Sequence, residues 1–97
     1  MPKAYLLSVY RTITDPDKVA AYGKLAGPAI EAAGGRFLAR GIAAKAMEAG
    51  TIQRTVVVEF DTLDQALALY DSPTYREALA ALDGGAERDI RIIEGVP

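Results

Sequence analysis

The sequence predicts an α+β domain ordered β-α-β-β-α-β, and three observations predict it. Arg54-Thr55-Val56-Val57-Val58-Glu59-Phe60 is the most strand-prone run of the chain, with β-branched and aromatic residues at its centre. Two stretches on either side of the central hairpin repeat apolar residues at three- and four-residue steps, each behind a capping residue. The order strand, helix, strand then occurs twice.

The first strand is Ala4 to Arg11, with Tyr5, Leu7 and Val9 expected under the helices and Leu6, Ser8 and Tyr10 on the other face. Asp15-Pro16 opens the first helix, since Asp caps well and Pro at the first position loses no needed hydrogen bond. Val19, Tyr22, Ala26, Ala29, Ile30 and Ala33 form its stripe, Pro28 implies a kink near Gly27, and Gly34-Gly35 ends it. The hairpin follows, with Arg36, Leu38 and Arg40 expected on one face of its first arm. In the second arm Val56, Val58 and Phe60 face the helices, while Thr55, Val57 and Glu59 face away. A turn at Ala49-Gly50 would set Arg40 opposite Glu59 and Lys45 opposite Arg54, unless a bulge at Gly41 moves the register by one residue. Thr62 to Gln65 matches a capping box ahead of Leu63, Ala66, Leu67 and Tyr70. Ser72-Pro73 breaks this helix, and Tyr75, Ala78, Leu79 and Leu82 continue in a second piece that ends at Asp83-Gly84-Gly85. Asp89 to Glu94 is the last strand.

This order is the split βαβ, or ferredoxin-like, arrangement. Right-handed crossovers give an antiparallel sheet in the order 4-1-3-2 with helices on one face. Residues 1–97 are expected to form one such domain. The uncovered face would expose a half-apolar surface, and a second copy packing face to face would cover it. A homodimer is expected.

Composition narrows the chemistry. The chain has no cysteine and no histidine, which removes thiolate nucleophiles, zinc–sulfur sites and the usual neutral-pH titrating group. No metal site and no cofactor are expected. A net charge of −2 with interspersed signs leaves no polybasic footprint for nucleic acid. No apolar run reaches the roughly 20 residues of a membrane span, and no cleavable leader pattern is present, so the expected location is cytoplasmic.

Several short motifs recur in one order: Asp15-Pro16, Pro28-Ala29-Ile30, Gly34-Gly35-Arg36-Phe37-Leu38-Ala39-Arg40-Gly41, Glu48-Ala49-Gly50, Val58-Glu59-Phe60, Ser72-Pro73 with Tyr75-Arg76, and Glu94-Gly95. As a set they resemble the bacterial family called domain of unknown function 1330. The resemblance implies a ferredoxin-like fold paired into a dimeric α/β barrel, within a superfamily that includes cofactor-free monooxygenases, isomerases and small-ligand sensors. It implies no reaction. The chain departs from the family pattern at Ile42, where many relatives carry a second glycine, and near Asp83, where they carry an arginine.

The sharpest candidate pair is Arg40 and Glu59. As a cross-strand ion pair it would fix register inside a dimer interface. As a site, Arg40 would hold a carboxylate or enolate in its planar fork and Glu59 would move a proton, which requires desolvation to raise its pKa. Tyr10, Ser8 and Arg36 are candidate ligand-binding residues beside them, whereas Tyr22, Tyr70 and Tyr75 read as core. Two functions stand: a dimeric module binding a small organic anion or aromatic acid on the open sheet face, and a cofactor-independent isomerase- or monooxygenase-like enzyme using the Arg/Glu pair. The lack of histidine and tryptophan favours the binding module.

Overall fold

The computed structural model describes residues 2–97. The elements are β1 (Ala4–Ile13), α1 (Pro16–Ala32), β2 (Arg36–Ile42), β3 (Arg54–Phe60), α2 (Leu63–Ala68), a 3-10 turn (Leu69–Asp71), α3 (Pro73–Leu82) and β4 (Ala86–Glu94). The four strands form one antiparallel sheet in the order β2-β3-β1-β4, the expected ferredoxin-like topology. The molecule measures 38 × 34 × 16 Å, a thickness of one sheet and one helical layer.

The caps form where the sequence places them. Asp15 Oδ1 accepts from the Asp17 and Lys18 amides, and Ser72 Oγ accepts from Tyr75. Thr62 Oγ1 accepts from Gln65, but the Gln65 carboxamide reaches back to the Asp61 amide rather than to the cap residue. α1 runs unbroken through Pro28. Gly27 explains part of that continuity: a residue before proline is pushed out of the helical region by its Cβ, and glycine has none.

The core joins α1 residues Tyr22, Ala26, Ala29 and Ile30 to Val56, Val58 and Phe60 of β3, and to Tyr75, Ala78 and Leu82 of α3. The expected α2 stripe needs a correction, because Leu67 is 52% exposed and Leu69 of the 3-10 turn is buried in its place. The tighter turn rotates the chain so that position 69 meets the sheet.

Three further expectations are corrected. The alternation of β1 is inverted: Ala4, Leu6, Ser8 and Tyr10 lie under the helices, and Tyr5, Leu7 and Val9 lie on the open face. The pairs Ala4–Phe60, Leu6–Val58 and Ser8–Val56 set this phase by aligning β1 with the wholly apolar side of β3. The hairpin arms stop at Ile42 and Arg54, leaving residues 43–53 as a loop that turns at Met47–Gly50, with Glu48 in the left-handed region. Its Thr51 hydroxyl donates to the Tyr10 carbonyl and ties the loop to β1. The irregularity in β2 lies between Phe37 and Ala39, not at Gly41, and the register pairs Arg36 with Glu59 and Arg40 with Val56.

Candidate functional site

The register separates the residues expected to share a site. Arg36 and Glu59 are cross-strand partners on the open face. Arg36 donates two hydrogen bonds to Glu59 Oε1 at 3.0 and 3.2 Å and one to Asp61 at 2.9 Å, and Tyr5 Oη donates to Glu59 Oε2 at 3.1 Å. These bonds, Arg36 first, hold the Glu59 carboxyl below the usual glutamate range. The raised carboxyl expected of a general base is therefore corrected: Glu59 is a paired carboxylate. Arg40 is opposite Val56, so it stands on the helix-covered face with Ser8 and Tyr10. The extra residue at Leu38 moves Arg40 across the sheet, because strand faces alternate at every residue.

The depressed Glu59 pKa has a pH consequence. A carboxyl held lower in the folded state contributes stability above its unfolded value, about pH 4.3, and loses it as pH falls through the folded value. Thermal melts on acidification should fall less steeply in Glu59→Gln than in the parent, and parallel curves would show that the pairing contributes nothing.

On the helix side, a cleft lies between α1 and the sheet, with Ser8, Tyr10, Tyr22, Arg40, Arg54 and Tyr75 among its lining. The space within it that water can reach is small, about 40 Å³, room for roughly three water molecules, and it opens outward. Beside it is a polar network. Tyr22 and Tyr75 hydroxyls are 2.7 Å apart, and Arg88 Nη1 donates to Tyr22 Oη at 3.0 Å. The Arg88 guanidinium also stacks over the Tyr22 ring at 4.7 Å and lies 5.6 Å from the Tyr10 centroid. Burial pushes the Tyr75 phenol far above the usual tyrosine range, and Tyr22 adds to the shift. Tyr75 stays neutral.

The charge balance of this side is one-signed. Arg40, Arg54 and Arg88 project to the helix side of three different strands, and among the described residues no carboxylate forms an ion pair with any of them. Arg40 instead stacks over Phe37 at 4.1 Å. Ser8 is 5% exposed and its hydroxyl has no hydrogen-bond partner. Such a group costs about 1–3 kcal/mol when left dry. Arrayed arginines with a buried hydroxyl are a combination that can attract and orient an anion. Among the described residues no group of three or more Asp or Glu side chains converges to hold a metal ion, and no helix is long and apolar enough to cross a membrane.

Sequence reasoning missed Arg54, Arg88, Tyr22 and Tyr75 as cleft residues. Arg88 precedes the expected start of β4, and Arg54 is the first residue of β3. The signal for the tyrosines was present, since a phenol on a buried stripe needs a hydrogen-bond partner.

Gly23 also lines the cleft, and a Cβ built there meets no atom within 4 Å. A glycine inside a helix costs about 1 kcal/mol relative to alanine, and packing gives no reason for it here. Gly23→Ala should raise stability by about 0.5–1 kcal/mol while narrowing the cleft mouth. A thermal melt showing destabilisation would mean that the space above Gly23 is not free.

A sequence-family model for a domain of unknown function, DUF1330, matches residues 3–96. No curated protein matches the chain. Among solved structures, a protein of unknown function from Rhodopseudomonas palustris is 17% identical, over 99% of this chain and 84% of its own, with a TM-score of 0.75. A dimeric ferredoxin-like protein of unknown function from Thermobifida fusca is 24% identical, over 96% and 91%, with a TM-score of 0.66. SnoaB, a cofactor-independent oxygenase from Streptomyces nogalater, is 9% identical, over 100% and 96%, with a TM-score of 0.67. At these identities the likeness is one of fold. The family match spans nearly the whole sequence, and the chain belongs to the DUF1330 family.

Proposed function

We propose that this protein binds a small organic carboxylate in the cleft between α1 and the sheet, with Arg40 and Arg54 holding the anion. The observation that carries this reading is the set of arginines on the helix side with no carboxylate partners among the described residues. Arg36 is left out, because Glu59 and Asp61 already occupy its fork. The site moves from the open face, where the sequence placed it, to the covered one. Glu59 takes no part in it. That removes the base from the enzyme alternative as the sequence framed it, and the binding module is the better-supported reading.

The protein acts as a homodimer in this proposal, with the open sheet face as its interface. Leu7, Val9 and Val57 are half-buried there, and Ile93 is 58% exposed. The dimeric Thermobifida fusca protein of the same fold supports the pairing. Such an interface should bury more than about 1,000 Å². Sedimentation at micromolar concentration should give twice the chain mass, and a monomeric mass would remove the dimer from the proposal.

The ligand reading is tested by thermal unfolding with small carboxylates and with their neutral amides. A ligand that binds only the folded state raises the melting temperature with concentration. Carboxylates should do so and amides should not; an equal effect of both would overturn the reading. Native mass spectrometry of freshly purified protein would then identify a retained acid directly.

A further inference from the structure

The cleft holds more hydrogen-bond donors than the protein uses. Ser8 is one: its Oγ is buried, lines the cleft and has no partner. The phenol pair supplies another. Tyr22 and Tyr75 carry two hydroxyl protons, and the 2.7 Å contact between them uses one. Arg88 adds a donor to Tyr22 and accepts nothing. Whichever phenol donates to the other, one O–H is left without an acceptor among the described residues. Tyr75 does not relieve this by ionising, because burial favours its neutral form.

Surplus donors call for an acceptor that the protein lacks. Arg40 and Arg54 stand on β2 and β3, whereas Ser8 is on β1 and the two phenols come from α1 and α3. Resting on the reading that the cleft binds a small carboxylate, we propose that the ligand carries a second oxygen, a carbonyl or its enolate, so that it is an oxo acid. The Ser8 hydroxyl and the spare phenol proton hydrogen-bond to that oxygen while the arginines hold the carboxylate. The network is a ready donor set for that oxygen, with Arg88 donating to Tyr22 behind it.

The experiment compares acids of matched shape that differ at the second oxygen, at two lengths: levulinate against 4-methylpentanoate, and 4-acetylbenzoate against 4-isopropylbenzoate. At one length or both, the oxo acid should bind about tenfold more tightly by calorimetry, the value of one well-made hydrogen bond to a buried group. Ser8→Ala should erase most of that preference and leave the affinity of the methyl acid unchanged. Its melting temperature should not fall, since the variant removes an unpaired buried hydroxyl. Tyr22→Phe with Tyr75→Phe, which removes both phenol protons, should also reduce the preference. Equal affinity within both pairs would overturn the second-oxygen proposal while the carboxylate reading stands. A preference untouched by both variants would overturn the assigned donors. No binding of any of the four acids at millimolar concentration would overturn both readings.

Discussion

Gly35→Ala should destabilise the fold by about 1–3 kcal/mol, the cost of overpacking a core that cannot yield. The cause is steric: the Gly35 φ does not lie in the left-handed region. A Cβ at this position would stand 2.6 Å from Ile30 Cγ2, 2.9 Å from Val58 Cγ1 and 3.0 Å from the Ile30 carbonyl oxygen. Both side chains are buried, one on α1 and one at the middle of β3, so neither swings aside. The Gly35 amide also donates to the Ile30 carbonyl at 2.9 Å, which fixes the backbone where the contact occurs. A domain of this size loses roughly 4–8 °C in melting temperature per kcal/mol. An unchanged melting temperature would show that Gly35 stands farther from Ile30 and Val58 than these distances. Gly34 beside it has the other reason for glycine, a φ of 94° at the helix exit.

Arg40→Met should weaken binding of a small carboxylate by about ten- to a hundredfold, the range for losing a charge-assisted hydrogen bond. The fold should hold within about 0.5 kcal/mol. Arg40 is exposed and has no ion-pair partner among the described residues, and methionine keeps an apolar chain over the Phe37 ring that the guanidinium covers at 4.1 Å. Arg40→Lys should lose part of the affinity, because a point charge replaces the planar fork. Arg36→Met is the control on the opposite face: it removes the Glu59 and Asp61 pairs and should leave carboxylate affinity unchanged. Titration calorimetry on the three variants separates these outcomes, and equal losses in Arg40→Met and Arg36→Met would contradict the placement of the site.

The architecture was legible because each element carried its own local signal. Asp15-Pro16, Thr62 and Ser72-Pro73 start the helices where the structure starts them, and Arg54 to Phe60 is the strand as expected. What the sequence left ambiguous was phase. In β1 both alternating sets are largely apolar, Tyr5-Leu7-Val9 against Leu6-Ser8-Tyr10. The structure buries that set beside the phenols and Arg88, a polar patch inside the helix layer that composition does not announce. In β2 one extra residue at Leu38 put Arg40 on the other side of the sheet from Glu59. Strand existence is a local property, but face assignment after a bulge depends on the partner strand. The candidate residues Ser8, Tyr10 and Arg40 do lie together, though on the face opposite to the expected one.

What decides the proposal is whether a small carboxylate seats between α1 and the sheet. Methyl-labelled protein, titrated with carboxylates graded in size from acetate to benzoate, tests it most directly by magnetic resonance. Leu6, Ile30, Val56 and Val58 surround the cleft, and Leu7, Val9, Val57 and Ile93 report the open face. Shifts in the first set that saturate with ligand and vanish in Arg40→Met are expected. Shifts confined to the second set, or the same shifts in Arg40→Met, would contradict it.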